Sequence, residues 1–319
     1  MPPAADVETW AARIRAGDVR ALAQGITAIE NREPAARDLL SRLFASTGAA
    51  YLIGFTGAPG TGKSTLVDRL AAHYREADEP VGVLAVDPTS PYTGGAILGD
   101  RIRMQGHEDD SGLFIRSMAT RGRLGGLSAA TADAALLLDA AGKRIVLIET
   151  VGVGQDEVDV VRLADCTVVL LVPGLGDDVQ SMKAGLMEVA DIFVVNKSDY
   201  NGADRLEQEI SAMLDLAPDQ NAWRPPIVHT VASEGRGVEE LTSAIARFRA
   251  HTGANPGRDA KKIENWKRRL VAMLESEFTQ RAFAGPLGAA QLDALAREVA
   301  ERRKEPYTAI REIASRAGL

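Results

Sequence analysis

The stretch from residue 57 to residue 64 constrains the fold of this chain more than any other feature. It reads Gly-Ala-Pro-Gly-Thr-Gly-Lys-Ser and matches the pattern G-x-x-x-x-G-K-[ST] in full. The apolar run YLIGFT precedes it directly, and a helical pattern follows it from Thr65 to Tyr74. A strand, a glycine-rich turn and a helix in this order predict a loop whose backbone N–H groups turn inward around phosphate oxygens.

Each residue type in this loop has a chemical reason to be there. Glycine lets the backbone approach a phosphate where a Cβ atom would clash. Lys63 supplies a positive charge to the β- and γ-phosphates, and Ser64 offers a hydroxyl to Mg²⁺, which keeps several waters and needs few protein oxygens. We therefore predict that the following residues bind a nucleotide: Gly57, Ala58, Pro59, Gly60, Thr61, Gly62, Lys63, Ser64 and Thr65.

Short apolar runs alternate with longer helical segments from Tyr51 to about His251. This alternation is typical of βαβ units, and continuously apolar runs indicate strands that are buried on both faces. We predict an α/β fold with a mainly parallel sheet flanked by helices. The predicted strands lie near residues 51–56, 81–86, 113–117, 144–149, 167–173, 192–196 and 227–231.

The chain divides into three predicted regions. Residues 1–48 form an N-terminal helical extension, residues 49–252 form the core domain, and residues 253–319 form a helical arm. The segment HTGANPGRD, residues 251–259, has the composition of a linker between the last two. From Arg258 onward the arm carries 13 basic and 9 acidic residues, which suits either an acidic neighbour, a second copy of the chain, or a solvated helical face.

The composition excludes several classes of function. With 37 basic and 44 acidic residues the net charge is −7, so we expect no nucleic-acid binding and no binding to an anionic membrane. The chain has one cysteine, Cys166, which permits no intrachain disulfide and indicates a reducing compartment. The first twenty residues lack an apolar run of signal-peptide length, and no apolar stretch reaches the ~18 residues of a membrane span. We expect a cytoplasmic protein.

The tetrapeptide Asn-Lys-Ser-Asp at the end of the apolar run IFVVN indicates which base is bound. It fits the pattern N-K-x-D, in which the two oxygens of Asp199 accept the N1–H and N2–H donors of guanine. Lys197 would lie along the base, and Asn196 would tie this loop to the phosphate loop. Asp199 could instead cap the following helix. A turn formed by Val231, Ala232 and the next residue is placed to offer a backbone N–H to guanine O6.

Three acidic residues are candidates for the metal side of the site. Glu149 and Asp87 each end an apolar run, which places them at the carboxyl edge where parallel sheets bind ligands. Asp100 is a third candidate in the long segment between two strands, although it could instead cap a helix near Ile102. The N–H of Gly152 can approach the γ-phosphate.

With these residues in place, the chain resembles the GTP-binding metallochaperones of the signal-recognition and nitrogenase-related NTPase class, and within it the MeaB/ArgK family. The motifs that carry the resemblance are GAPGTGKST, VDPTS, ETVGVGQDE and NKSD. RGRLGGLS at residues 121–128 and VPG before GDD are further specific stretches. The resemblance covers nearly the whole chain and implies a P-loop NTPase core with helical extensions at both ends.

The resemblance also implies an activity and partners. The expected protein binds GTP and GDP with Mg²⁺, hydrolyses GTP, and assists the adenosylcobalamin-dependent methylmalonyl-CoA mutase by gating cofactor delivery and protecting the enzyme. It is expected to be a homodimer built through the C-terminal arm, with the loop between Gly174 and Lys183 facing the mutase. The residues implied as catalytic are Lys63, Glu149, Gly152 and Arg103, and those implied on the Mg²⁺ side are Ser64, Asp87, Asp100 and Glu149.

Two departures from ordinary GTPases predict slow intrinsic hydrolysis. Glu149 stands where D-x-x-G has an aspartate, and Val153 stands where many small GTPases have a water-positioning glutamine; Gln155 lies two residues further on. Because hydrolysis depends on a positioned water and on charge stabilisation, we expect the activating group to come from the partner, or from Arg103 or Arg121.

Other functions compete with this hypothesis. A nickel-enzyme maturation GTPase would need a Cys/His cluster, which the spacing of Cys166 and the four histidines does not provide. A kinase of the ArgK type, acting on an amino-acid transport protein, is opposed by N-K-x-D and by the lack of a secretion signal. A non-hydrolysing scaffold is opposed by the intact Lys63 and Ser64.

Overall fold

A computed structural model describes residues 4–87, 110–119, 126–150, 163–174, 190–216, 223–254, 257–283 and 288–316. These residues form two compact units, Met1–Pro256 and Gly257–Leu319. The strands of the first unit are β1 (Tyr51–Thr56), β2 (Val81–Asp87), β3 (Leu113–Ala119), β4 (Ile145–Thr150), β5 (Cys166–Leu171), β6 (Ile192–Asn196) and β7 (Ile227–Thr230). Its helices are α1 (Ala4–Arg15), α2 (Val19–Glu30), α3 (Pro34–Leu43), α4 (Lys63–Glu76), α5 (Gly126–Ala140), α6 (Ala203–Leu214) and α7 (Val238–Ala254).

The seven strands form one sheet in the order β3-β2-β4-β1-β5-β6-β7, and every neighbouring pair is parallel. This confirms the predicted α/β fold, and each predicted strand has its counterpart. β1 lies between β4 and β5, with Phe55 opposite Glu149 and Thr56 opposite Val169. The carboxyl ends of these three strands therefore meet where the phosphate loop begins.

Both faces of the sheet are buried, which explains the continuously apolar strands. On one face, alternate residues of β1 and β4 such as Phe55 and Leu147 pack with Leu66 and Leu70 of α4 and with α7. On the other face, the intervening strand residues pack with α5 and with the three N-terminal helices. A third cluster joins β5 and β6 to α6. Parallel sheets covered by helices on both faces give this pattern of burial.

The N-terminal helices share a core with the sheet. Leu22, Ile26 and Leu39 are fully buried or nearly so, and they pack in one cluster with residues of α5, β2 and β3. Gly25 of α2 leaves room for Leu137 of α5, because a Cβ atom at this position would lie 3.0 Å from Leu137 Cδ1. The helices predicted as an extension thus form an outer layer of the first unit.

A buried carboxylate fixes the chain between the N-terminal helices and β1. Asp139 of α5 is 8% exposed and accepts hydrogen bonds from the N–H groups of Gly48, Ala49 and Ala50, at 2.5, 3.2 and 2.9 Å. Three N–H groups around one carboxylate satisfy a charge that would otherwise be costly to bury.

The linker predicted at residues 251–259 contains the division between the two units, at Pro256, but both of its ends are helical. Helix α7 continues to Ala254, and the next helix begins at Gly257. The His251 ring packs on Trp223 with centroids 5.1 Å apart, and Trp223 also packs edge-to-face on Phe248. The Thr252 hydroxyl donates to the Phe248 carbonyl at 3.0 Å. These contacts extend the helix past the point where composition alone predicts its end.

In the described part of the second unit, a long helix and two shorter ones pack on each other. They are α8 (Gly257–Phe283), α9 (Gly288–Ala300) and α10 (Pro306–Arg316). Lys304, in the turn between α9 and α10, donates to Glu298 and Glu312 at 2.9 and 2.7 Å. Among the helices that the structure describes, none is both long enough and apolar enough to cross a membrane.

Candidate nucleotide-binding site

Residues 57–62 turn tightly between β1 and α4, and close approaches require glycine at two of these positions. Gly57 has φ +144° and Gly62 has φ +91°, values that L side chains rarely adopt. A Cβ atom on Gly57 would overlap the Leu170 carbonyl oxygen of β5, and one on Gly62 would overlap Asn196 Nδ2. The loop is therefore held directly against β5 and the end of β6.

Lys63 is the first residue of α4 and lies across the loop. Its side chain is almost entirely buried, with the residue 5% exposed, and its Nζ donates to the carbonyls of Gly57 and Ala58 at 2.7 and 3.0 Å. The helix N-terminus adds favourable dipole for an anion at the same place. A phosphate in this loop would meet the ammonium group and the first turn of α4 together.

Ser64 and Glu149 bring two oxygens together beside the loop. Ser64 Oγ donates to Glu149 Oε1 at 2.5 Å, and Glu149, at the penultimate position of β4, is 6% exposed. A hydroxyl beside a buried carboxylate is a donor set that suits Mg²⁺, which prefers oxygen ligands and retains waters. Asp87 ends β2, which pairs with β4, so its backbone lies at the same edge of the sheet.

Asn196 joins three segments of the site. It is 2% exposed, and its Nδ2 donates to the Thr61 carbonyl at 2.7 Å. Its Oδ1 accepts from the Thr230 hydroxyl at 2.9 Å and from the Ala232 N–H at 3.1 Å. The side chain thus connects the phosphate loop, the end of β6 and the turn after β7. The sequence predicts the connection to the phosphate loop.

Lys197 and Asp199 follow in a turn whose geometry is unusual. Lys197 has φ +55°, and its Nζ donates to the Gly60 carbonyl at 3.0 Å, so its stem crosses from β6 to the phosphate loop. Asp199 is exposed. The N-cap of α6 is Gly202, so Asp199 does not cap this helix and its carboxylate is left for another role.

The turn after β7 lies beside Asn196. Val231 and Ala232 are both 3% exposed, and Ala232 begins a short 3₁₀ helix, Ala232–Glu234. Their N–H groups donate within the protein, to the Arg236 carbonyl at 3.1 Å and to Asn196 Oδ1. A base oxygen at this turn would share the Ala232 N–H with Asn196 or take the N–H of Ser233.

Several predicted residues lie outside the described part of the chain. Asp100, Arg103, Gly152 and Arg121 are among them, as is the Asp87 side chain. Of the loop between Gly174 and Lys183, only Gly174 is described, with φ +91°. The roles assigned to these residues stay predictions.

The sequence does not predict a role in this site for two residues that the structure places there. Thr230 holds Asn196 Oδ1, and Arg69 of α4 donates from Nη2 to the Ser233 carbonyl at 3.0 Å. Thr230 directly precedes the turn that was singled out, so its position was a usable signal. Arg69 gives no such signal, because only the packing of α4 beside the turn brings it there.

Comparison with protein families gives one match that covers most of the chain. The model for the methylmalonyl Co-A mutase-associated GTPase MeaB matches residues 22–286.

Within the part that the structure describes, no three His, Cys, Asp or Glu residues form a group that could hold a metal ion, so no nickel-type cluster is seen there.

Similar proteins occur in archaea, bacteria and animals. A Pyrococcus abyssi protein named as a GTPase is 48% identical to this chain. The alignment covers 93% of this chain and 92% of that protein. The GTPase ArgK of Escherichia coli is 40% identical over 74% of each chain. The mitochondrial methylmalonic aciduria type A homolog of Caenorhabditis elegans is 33% identical over 80% of this chain and 69% of its own.

A solved structure has the same architecture. The crystal structure of an LAO/AO transport system kinase superposes with a TM-score of 0.71 and 27% sequence identity, and covers 99% of this chain and 98% of its own. The likeness therefore extends over both compact units.

Proposed function

We propose, because the chain belongs to the MeaB family of GTPases, that it is a GTP-dependent chaperone of an adenosylcobalamin-dependent acyl-CoA mutase, namely methylmalonyl-CoA mutase. The observation that carries the nucleotide part is the position of Asn196, which joins the phosphate loop, the N-K-x-D loop and the turn after β7. A guanine nucleotide needs these three segments at fixed relative positions, because they contact its phosphates and its base at the same time.

In this proposal the described residues divide the nucleotide between them. The phosphate loop and Lys63 hold the phosphates, and Asp199 accepts the two N–H donors of the guanine edge. An adenine has no matching pair of donors, so the oxygens of Asp199 would stay unpaired against its edge, which discriminates against this base. The alkyl stem of Lys197 runs from the end of β6 to the phosphate loop and would lie along the plane of the base.

We propose that Mg²⁺ binds on the side of the loop where Ser64 and Glu149 meet, with Asp87 and Asp100 as further candidates. When bound there, Mg²⁺ would neutralise charge on the phosphate oxygens. The chain's own contribution is to orient the Ser64 hydroxyl through its hydrogen bond to Glu149. We propose slow intrinsic hydrolysis, with Arg103, Arg121 or the partner supplying the activating charge.

The proposed partner contact begins beside the phosphate loop. Gly174 follows β5, and the Leu170 carbonyl of this strand lies against Gly57. A mutase that binds the loop between Gly174 and Lys183 would therefore contact a segment that starts at the nucleotide edge of the sheet. The single cysteine agrees with a reducing compartment, and we place the chaperone in the cytoplasm.

We also propose a homodimer built on the C-terminal arm. Helix α8 exposes an apolar stripe at helical spacing, formed by Ile263, Leu270, Leu274 and Phe278, each at least 44% exposed. Val271 and Met273 on the same helix are exposed as well. An exposed apolar surface of this length is typical of a helix that packs against another helix. Light scattering should give the mass of a dimer for the natural chain and of a monomer for the double substitution Leu270→Asp and Leu274→Asp.

The chaperone role is tested by cofactor loading. Mutase without cofactor is mixed with adenosylcobalamin and the full chain, and the change in cobalamin absorbance is followed with GTP, with GDP and without nucleotide. We expect loading to depend on which nucleotide is bound, and to lose that dependence in Lys63→Met, which keeps the alkyl stem and removes the charge. Loading that ignores both nucleotide and Lys63 would contradict the proposal.

The likeness to an LAO/AO transport system kinase favours one second candidate, a kinase that acts on a transport protein. The two functions differ in where the γ-phosphate goes. With γ-labelled GTP, a GTPase releases labelled inorganic phosphate, whereas a kinase leaves the label on a protein acceptor. We expect the label in inorganic phosphate, with and without the mutase.

A further inference from the structure

Helix α4 contacts both ends of the nucleotide site. Its first residue, Lys63, lies across the phosphate loop. Six residues further along the same helix, Arg69 donates from Nη2 to the carbonyl of Ser233, the middle residue of the 3₁₀ turn Ala232–Glu234, at 3.0 Å. The helix that begins at the phosphate loop is thus also bonded to the turn that we propose lies beside the base.

The other hydrogen bonds of this turn use groups other than the Ser233 carbonyl. Asn196 Oδ1 accepts from the Ala232 N–H. The Val231 N–H pairs with the Arg236 carbonyl at 3.1 Å, and the Glu234 N–H donates to the Val231 carbonyl at 2.9 Å, which closes the turn on itself. Among the described residues, the side-chain hydrogen bond from α4 to this turn is the one that Arg69 donates to Ser233.

We propose that Arg69 is a positioning residue for base recognition. It fixes the turn at residues 231–233 so that a backbone N–H meets the oxygen at position 6 of a purine. The proposal rests on the guanine specificity proposed above and adds a residue to it. Arg69 does not touch the base; it acts through the Ser233 carbonyl.

The expected effect is moderate, because the bond is made near the surface. One exposed hydrogen bond of ordinary net strength changes a binding constant by about three- to tenfold. The effect should appear only with nucleotides whose base carries the oxygen. It should leave the chemistry at the γ-phosphate unchanged, since Ser64 and Lys63 lie five and six residues before Arg69 on the helix and make no part of its bond to Ser233.

The test compares two substitutions that keep the long stem and the helix propensity of arginine. Arg69→Met removes the donor, and Arg69→Lys retains a charged donor group at the end of the stem. Arg205→Met is the matched control, because Arg205 is also an exposed helical arginine but pairs with Glu209 on α6. Dissociation constants are measured for GDP, for IDP, and for 2-aminopurine riboside diphosphate, which keeps the 2-amino group and lacks the oxygen.

We expect Arg69→Met to raise the dissociation constants of GDP and IDP by about fivefold. The dissociation constant of the 2-aminopurine nucleotide should not change. Arg69→Lys should keep most of the affinity of the natural chain for GDP and IDP. The kcat for saturating GTP should not change. An equal loss for all three nucleotides would show a general effect on the helix and would overturn the proposal, as would unchanged GDP affinity. If the natural chain binds ADP as tightly as GDP, guanine specificity itself fails; if it prefers GDP and Arg69→Met has no effect, only the role of Arg69 fails.

Discussion

Gly62 lies between two parts of the nucleotide site, and its substitution separates two causes of strain. Its φ of +91° disfavours any side chain, and its Cβ position is already occupied by Asn196 Nδ2. Gly142 has a similar φ of +82°, but open space surrounds its Cβ position. The two glycines therefore differ in their neighbours and hardly at all in backbone conformation.

We predict that Gly62→Ala abolishes measurable GDP binding, because Asn196 must move and its three hydrogen bonds hold the site together. Gly142→Ala should cost only the backbone strain, about 1 kcal/mol, with GDP affinity unchanged. Calorimetric titration with GDP and urea unfolding check both. Equal GDP affinities in the two variants would contradict the close approach.

The identity of the base depends on Asp199. Asp199→Asn is predicted to lower the affinity for GTP and to raise that for xanthosine triphosphate, because xanthine has an acceptor where guanine has its N2–H donor. A competition assay with the two nucleotides gives the ratio directly. If the variant kept the affinity of the natural chain for GTP, the guanine assignment would be lost.

Much of the site was predictable at the residue scale, because its motifs are local. The loop from Gly57 to Ser64 and the N-K-x-D tetrapeptide each occupy consecutive positions, so their residue types and spacing carry the information. Arg69 was not predictable, since its role depends on which turn packs beside α4. The meeting of Ser64 with Glu149 needed the strand order, which places β4 next to β1.

At the scale of elements, Asn196 connects β6 with the turn after β7 and with the loop after β1. We predict that Asn196→Ala destabilises the protein by about 2–3 kcal/mol, because it removes the partners of two buried groups and of the Thr61 carbonyl. Thr230→Val removes one of these hydrogen bonds and keeps the shape of the side chain, so its cost should be about 1 kcal/mol. Urea unfolding measures both free energies, and a smaller cost for Asn196→Ala than for Thr230→Val would contradict this account.

A second link between elements depends on pH. Arg75 of α4 donates to both oxygens of Asp110, just before β3, at 2.8 and 3.0 Å. This hydrogen bonding holds the pKa of Asp110 below its ordinary value of 3.8. A lowered carboxyl pKa contributes stability above the unfolded-state value, and the contribution is lost as the pH falls through the folded-state value.

We therefore predict that Asp110→Asn lowers the free energy of unfolding by at most about 1 kcal/mol at pH 7. The difference from the natural chain should stay constant down to about pH 5 and shrink as the pH falls below about 4. Urea unfolding at a series of pH values checks this. A difference that grows in acid would show that Arg75 does not stabilise the charged form.

The strands were predictable because a parallel sheet buried on both faces leaves continuous apolar runs in the sequence. The division between the two units falls at Pro256, within the linker predicted at residues 251–259, but that linker is shorter than predicted for a tertiary reason. Its glycine, asparagine and proline indicate a break, but the packing of Trp223 on Phe248 and His251 carries α7 on to Ala254. Contacts between residues that are far apart in the chain are not visible in local composition.

At the scale of the whole molecule, the N-terminal helices and the sheet form one core, and the C-terminal helices form a unit of their own. The composition of residues 251–259 predicted the division before the C-terminal helices, but nothing in the sequence showed that the N-terminal helices pack on the sheet. The difference between the two ends follows from the large side chains of α2 and α3 packing on α5 and the outer strands, which buries them fully. We expect the first unit to unfold together with its N-terminal helices.

The central claim is that this nucleotide site hydrolyses GTP under the control of a mutase. The most direct test is the rate of phosphate release by the full chain from GTP, and from ATP as a control, alone and with saturating adenosylcobalamin-dependent methylmalonyl-CoA mutase. The account predicts slow release from GTP alone, an increase of at least about tenfold with the mutase, and none with ATP. Equal rates with GTP and ATP, or a GTP rate that saturating mutase leaves unchanged, would contradict it.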